Sequence, residues 1–123
     1  MFIKEILNID RNAHEADIIV SDGKIDILCH TFDYLNDNIK SFELSPLDYD
    51  EVYAISEKEF KISNFSQSKY DYQIHCEIID IKNGIVKLCG IKISLGKYLP
   101  GDLTNGDWIT VKCYRMDIYL DYD

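Results

Sequence analysis

Apolar and polar residues alternate with a period of two along most of the chain, which is the pattern of half-buried β-strands. In the first half, Ala16 to Val20 and Lys24 to His30 read as such strands, and Phe2 to Ile9 precedes them as a first strand. The turn residues Ser21-Asp22-Gly23 separate the second segment from the third. The pattern therefore predicts a three-stranded antiparallel meander.

The second half shows the same period more strongly. Tyr70 to Lys82 reads as one long strand, and Asn83-Gly84 follows it directly. This dipeptide tolerates positive φ at both central positions, so it predicts a type I′ hairpin turn. The segments Ile85 to Leu88 and Ile91 to Leu95 are predicted as the next strands.

The last predicted strand, Trp108 to Leu120, changes phase in its middle. Two sets of apolar residues lie on opposite faces if the strand is straight: Ile109, Val111 and Cys113, then Met116, Ile118 and Leu120. A β-bulge near Tyr114-Arg115 restores one buried face and curves the strand. Curved strands are typical of a small barrel.

Residues 32 to 50 lack a regular pattern, and they predict turns with at most a short helical turn. Val52 to Ile55 and Phe60 to Ile62 are predicted as short strands. A chain of 123 residues fits one domain. We therefore predict a single β-barrel or sandwich domain over residues 1–123. Its fold class is all-β, or mainly β with at most a short helix, in an OB-like Greek-key barrel of about 7–9 strands.

Residues 70 to 120 resemble an OB-fold-type small barrel in their order of long strand, Asn-Gly hairpin, curved segment, loop and closing strand. The run Asn105 to Val111, in which Gly106-Asp107 precedes a strand, is similar to the strand entry of such proteins. The layout is also similar to that of small bacterial proteins without an assigned function. The OB resemblance implies binding of single-stranded nucleic acid through a basic groove and stacking aromatic residues.

The charge is unevenly distributed, and this limits the possible partners. Residues 1 to 60 contain 14 acidic and 5 basic residues, and residues 61 to 123 contain 8 of each, so the first half carries the whole net charge of −9. Four lysines and no acid lie between residues 81 and 101. They are the candidate nucleic-acid-binding residues of the OB-like alternative: Lys82, Lys87, Lys92 and Lys97.

Eight acids and several tyrosines are interleaved between Asp33 and Glu59. Carboxylates around aromatic side chains suit a surface that meets a basic partner, because the charges steer the encounter and the aromatic rings anchor it. The simpler interpretation is a solvated acidic loop whose aromatic residues close the core. The candidate partner-binding residues are Tyr34, Asp37, Asp48, Tyr49, Asp50, Glu51 and Tyr53.

No catalytic or metal-binding motif is present, so we predict no catalytic residue, metal or cofactor. His30 and His75 each follow or precede a cysteine, but neighbouring residues of a strand point to opposite faces. Arg115 and Asp117 share a face and are predicted to pair as an ordinary ion pair. Three of the four cysteines lie in alternating apolar patterns and are predicted to be reduced core residues.

The leading hypothesis is a non-enzymatic protein-interaction domain, in its sharper form an acidic inhibitor or immunity-type protein that binds a basic partner. The alternatives are an OB-like single-stranded nucleic-acid binder and an enzyme or small-ligand barrel. A homodimer is a further possibility, because strand edges support self-association. The chain has no signal-peptide pattern and no run of 18 apolar residues, so we expect a cytoplasmic protein without a membrane partner.

Overall fold

The computed structural model describes residues 1–32, 38–96 and 99–122. Within these residues all regular secondary structure is β, which confirms the predicted all-β class, and the eleven strands exceed the expected number. The strands are β1 (Phe2–Asp10), β2 (Glu15–Ser21), β3 (Asp26–Thr31), β4 (Ile39–Pro46), β5 (Tyr49–Ile55), β6 (Lys61–Ser63), β7 (Tyr72–Asp80), β8 (Ile85–Leu88), β9 (Ile91–Ser94), β10 (Trp108–Cys113) and β11 (Met116–Tyr122).

The strands divide into two sheets, and these are not closed into the single barrel that the sequence predicted. The first sheet has the order β1-β2-β3-β11-β4, and the second has the order β5-β10-β7-β8-β9. The short strand β6 pairs with the beginning of β7, while β8 pairs with its end. All neighbouring strands are antiparallel except β3 and β11, which meet in parallel at His30 and Asp117.

The predicted meander is confirmed by the antiparallel pairing of β1, β2 and β3. The hairpin of β7 and β8 is also present, but its predicted type I′ turn is wrong. Of its two central residues only Gly84 has positive φ (68°). The reason is local: the Asp80 carboxylate accepts hydrogen bonds from the backbone N–H of Asn83 at 3.2 Å and from its side-chain amide at 2.8 Å. The turn is therefore wider than the dipeptide indicates.

The predicted last strand is two strands in different sheets, joined at a corner rather than by a bulge within one strand. β10 belongs to the second sheet and β11 to the first. The neighbouring strands of the same chain turn this corner too, since β4 continues into β5. Two backbone hydrogen bonds hold the corner together, from Leu47 N–H to the Arg115 carbonyl at 2.9 Å and from Tyr114 N–H to the Asp48 carbonyl at 3.0 Å. Both apolar sets consequently face one core.

Where the structure describes residues 32 to 50, the turn prediction is confirmed at Leu47 and Asp48 but is wrong for residues 39–46 and from Tyr49 onward, which are strands. β4 occupies residues 39–46, and β5 begins at Tyr49, three residues before the strand predicted there. The prediction for residues 33 to 37 lies outside the described residues. β4 is stable as a strand because it pairs with β11 along most of its length, a partner about 75 residues away in the sequence.

One hydrophobic core is built by both sheets, and it contains Ile18 and Ile27 of the first sheet and Ile74 and Ile109 of the second. The tips of two hairpins tie the sheets together. The Asp22 carboxylate accepts N–H groups of its own turn, from Lys24 at 2.8 Å and Ile25 at 2.9 Å, and that of Gly90 in the β8–β9 turn at 2.6 Å. These backbone hydrogen bonds, with that of Ile25 the strongest, lower the pKa of Asp22 to about 2.

Candidate protein-interaction surface

The corner between the two sheets carries the densest group of exposed carboxylates among the predicted site residues. Asp48 lies in the turn between β4 and β5, and Asp50 and Glu51 follow within β5; all three are exposed. A register shift against β10 makes this possible, because Glu51 and Val52 together oppose the single residue Val111. Glu51 has φ +51°, the left-handed conformation of a bulged residue. The bulge leaves two neighbouring carboxylates exposed.

Tyr114 connects these charges. Its hydroxyl donates a hydrogen bond to Asp50 Oδ2 at 2.8 Å. This hydrogen bond is the main cause that raises the pKa of Tyr114, and the charges of Asp50, Glu51 and Asp48 act in the same direction. The hydroxyl thus lies in the combined field of all three carboxylates and remains protonated at neutral pH.

The side chains below Tyr114 hold it in place. The Tyr114 ring meets the Phe65 ring edge-on, with centroids 5.5 Å apart. Lys112 Nζ lies 4.6 Å from the Phe65 centroid and 3.3 Å from Glu51 Oε2. The Phe65 ring therefore fixes Tyr114, and Lys112 fixes the Glu51 carboxylate, before any partner binds. This reduces the conformational entropy lost on binding.

Exposed apolar side chains flank the carboxylates. Leu47 is 59% exposed, Tyr53 62% and Tyr114 43%. Tyr53 lies on β5 opposite Thr110, on the same outer face of the sheet as Asp50. We call this surface the acidic corner and define it by Leu47, Asp48, Asp50, Glu51, Tyr53 and Tyr114.

The predicted partner-binding residues are only partly brought together. Asp48, Asp50, Glu51 and Tyr53 belong to the acidic corner, whereas Tyr34 and Asp37 lie outside the described residues. Tyr49 is half-buried against the core, and burial raises the pKa of its hydroxyl. It is therefore a packing residue rather than an exposed anchor.

Leu47 and Tyr114 were missed by the sequence reasoning. Leu47 falls in a segment that the sequence predicts as a polar turn, and Tyr114 is far from the acidic segment in sequence. The only available signal for Tyr114 was the phase change of the last strand, which marks the place where the chain turns.

The alternative site residues are separated by the fold. Lys87 and Lys92 are direct cross-strand neighbours on the outer face of the second sheet, and Lys82 is exposed near the β7–β8 turn. Lys97 lies outside the described residues. Lys87 Nζ is 3.3 Å from Glu77 Oε1, so its charge is partly compensated.

A buried polar network lies on the outer face of the first sheet and was not predicted as a unit. Asp17, almost fully buried, accepts hydrogen bonds from Asn8 Nδ2 at 2.8 Å and the Tyr70 hydroxyl at 2.8 Å, and its Oδ1 lies 3.3 Å from His30 Nδ1. Burial acts to raise the pKa of Asp17, but these hydrogen bonds outweigh it and lower the pKa. The network joins β1, β2 and β3, and its polar atoms have partners, so a structural role explains it.

The predicted ion pair of Arg115 and Asp117 is confirmed, with Nε–Oδ1 at 2.6 Å and Nη2–Oδ2 at 3.0 Å. Asp117 is buried at 5% exposure, so the pair is more enclosed than an ordinary surface pair. His30 and His75 lie on the faces opposite the buried Cys29 and Cys76, as alternation predicted.

The four cysteines are free thiols, and three of them are buried as predicted. Burial raises the pKa of Cys113 to about 12, which leaves its thiol protonated and unreactive. Across residues 1–32, 38–96 and 99–122 the structure groups no three His, Cys, Asp or Glu side chains as a metal site requires. The described part of the chain also contains no helix long and apolar enough to cross a membrane.

Comparison with known proteins adds no further constraint on function. No family model matches the chain, no curated protein is significantly similar to it in sequence, and no solved structure is significantly similar to it in fold. Only the chemistry of the surface therefore bears on the function of this protein.

Proposed function

We propose that this protein is a non-enzymatic interaction module that binds a basic protein through the acidic corner. In the sharper form of the proposal it is an inhibitor or immunity-type protein that masks the basic surface of a toxin or nuclease. One observation carries the proposal: the hydroxyl of an exposed tyrosine donates a hydrogen bond to one of three exposed carboxylates close in sequence, beside exposed leucine and tyrosine side chains.

The charges of the corner are suited to attract a cationic surface. Of its three carboxylates only Glu51 has a lysine or arginine within 4 Å among the described residues, and that cation is Lys112. The net charge of −9, all of which comes from residues 1 to 60, extends the negative field around the corner. Such a field accelerates association with a basic partner and weakens as salt is added.

The apolar members of the corner supply the other requirement of an interface. Tyrosine at the centre of an interface buries a large ring while its hydroxyl keeps a hydrogen-bond partner. Tyr114 already has that partner in Asp50 at 2.8 Å. Desolvating Tyr114, Tyr53 and Leu47 then gains hydrophobic free energy without leaving the Tyr114 hydroxyl unpaired.

The experiment compares two triple variants with the same net charge. The site variant is Asp48→Asn, Asp50→Asn and Glu51→Gln; the control variant is Glu43→Gln, Glu59→Gln and Asp102→Asn, three exposed carboxylates outside the corner. Proteins captured by the wild-type chain from nuclease-treated lysate are identified and purified, and their affinity is measured calorimetrically over a range of salt concentrations.

We expect a basic partner whose affinity falls roughly 30-fold for the site variant and less than about threefold for the control, with a flatter salt dependence only for the site variant. Three rim charges at about 0.7 kcal/mol each give that factor. Equal losses in the two variants would show that only net charge matters and would end the proposal.

A second candidate function has its own observation. The outer face of the second sheet carries a cross-strand row of Trp108, Glu77, Lys87 and Lys92. Phe60 packs on Trp108 with ring centroids 4.6 Å apart. Aromatic rings beside lysines on a sheet are the elements with which OB-like proteins bind single strands.

The ion pair of Lys87 with Glu77 and the net charge of −9 oppose this second function. Its test is fluorescence anisotropy of a labelled single-stranded oligonucleotide at low salt. Micromolar affinity that disappears in the Lys87→Gln, Lys92→Gln variant supports nucleic-acid binding. Absence of binding at tens of micromolar, or binding unchanged in that variant, contradicts it.

A further inference from the structure

The β1 edge of the first sheet has the opposite chemistry from the acidic corner. β1 ends that sheet, and at nine residues it is as long as the central strand β7. Four large apolar side chains of this segment are exposed: Met1 at 44%, Phe2 at 50%, Ile6 at 38% and Ile9 at 47%. Natural edge strands are usually short or charged, because an apolar edge pairs with another strand.

An apolar groove lies beside this edge. It has a volume of about 450 Å³. Residues 1–3, at the beginning of β1, line one side of the groove, and residues 39–42 of β4 line the other. These two strands are the opposite ends of the same sheet and do not pair with each other. An added strand along β1 would place its side chains over this groove and pair with the backbone groups that β2 leaves free.

We propose that the added strand is β1 of a second copy of this chain, in a two-fold symmetric antiparallel pair centred between Lys4 and Glu5. In this register Lys4 opposes Glu5 of the second copy, Ile3 opposes its Ile6, and Phe2 opposes its Leu7. The symmetry forms each of these contacts twice.

The faces of β1 fit this register because of a bulge. Ile3 and Ile6 pair with Val20 and Ile18 of β2, both of which are in the core, so they share the inner face. Leu7 pairs with Asp17 and Phe2 with Ser21, so both lie on the outer face. In a regular strand Ile3 and Ile6 would point to opposite sides; the register shift between Ile3 and Glu5 removes this conflict.

The charges also favour a second copy over a strongly charged partner. β1 contains one lysine and two acids, and its adjacent Lys4 and Glu5 are complementary to themselves under two-fold symmetry. By contrast, the first half as a whole carries nine excess negative charges. β1 is thus a nearly neutral apolar strip where two acidic molecules meet with little local repulsion.

Charge exchange across the two-fold axis tests both the edge and the register. The variants are Lys4→Glu, Glu5→Lys and the double exchange, with Lys61→Glu as a control on the other sheet. Lys4 also donates a hydrogen bond to Asp26 of its own chain at 2.7 Å, so Lys4→Glu removes that contact whereas Glu5→Lys leaves it intact. A dimer that is weakened by both variants is therefore weakened at the interface and not by loss of the contact with Asp26. Molar mass is measured by sedimentation equilibrium from about 1 to 500 μM, with circular dichroism to confirm folding.

We expect the wild-type chain and the control to reach twice 14.3 kDa. Each single exchange puts like charges opposite each other twice and should weaken the dimer about tenfold, and the double exchange should restore it. A monomer at all concentrations would overturn the inference and leave the edge to a foreign strand. A mass that grows beyond the dimer, or a dimer unchanged by the single exchanges, would also overturn it.

Discussion

Substitution of Gly84 by alanine is the sharpest test of how closely the β7–β8 turn packs against Gly96. Gly84 is buried at the end of the β7–β8 turn with φ +68°. A Cβ atom there would lie 1.5 Å from the carbonyl oxygen of Gly96. Since non-bonded Cβ contacts below 3.0 Å essentially do not occur, one of the two backbones must move by more than an ångström.

The expected cost of Gly84→Ala has two parts. The left-handed conformation costs an alanine about 1 kcal/mol relative to glycine. The backbone displacement also breaks the hydrogen bond from Leu95 N–H to the Gly84 carbonyl, which is 2.8 Å long, and disturbs the core beside it. A broken, buried backbone hydrogen bond with local repacking adds about 2–3 kcal/mol. The total of about 3–4 kcal/mol is a large fraction of the stability of a small domain.

Gly23→Ala is the matched control, because Gly23 has φ +90° but no atom within 4 Å of the added Cβ. It should lose only the conformational part, about 1 kcal/mol. Urea unfolding followed by circular dichroism gives both free energies of unfolding. Equal losses in the two variants would refute the close packing of the β7–β8 turn against Gly96.

Two further predictions concern single polar groups. Because Asp22 has a pKa of about 2 when folded and an ordinary value of 3.8 when unfolded, its stabilisation is present above pH 4 and is lost as the pH falls from about 4 to 2. Urea unfolding across this range should show that Asp22→Asn loses roughly 1 kcal/mol less free energy of unfolding than the wild type. The difference is no larger because solvent partly screens the half-exposed carboxylate. An equal loss in the two proteins would contradict this prediction. The Tyr72 hydroxyl accepts the Leu28 N–H at 2.9 Å and donates to the Leu28 carbonyl at 3.2 Å. Tyr72→Phe should therefore cost about 1–3 kcal/mol in thermal unfolding, against less than 0.5 kcal/mol for Tyr53→Phe at an exposed position.

The strands that alternate regularly were predictable from the sequence because burial of one face decides every second residue. β2, β3, β7 and β8 are of this kind, and their predicted positions agree with the structure to within a few residues. β4 was missed because its apolar residues Ile39 and Phe42 are three apart, across a register shift at its pairing with β11. Alternation then holds only for Phe42, Leu44 and Pro46.

The phase change at Tyr114 shows why the tertiary arrangement could not be derived. A bulge within one sheet and a corner between two sheets both invert the buried face of a strand. The choice depends on β4 and β5, which turn the same corner beside it. For the same reason the acids of the acidic corner were visible in sequence, while Tyr114, which lies among them, was not.

One end strand of each sheet, β1 and β5, shows how differently two edges of this molecule are built. β5 ends the second sheet with exposed carboxylates, which resist the addition of another strand. β1 ends the first sheet with exposed apolar residues and a pair of opposite charges. The acidic corner therefore suits a partner that binds through basic side chains, whereas the β1 edge suits one that binds through its backbone. Because none of the acidic-corner residues belongs to β1, a dimer formed through β1 uses no residue of either corner and presents a basic partner with two sites on one particle.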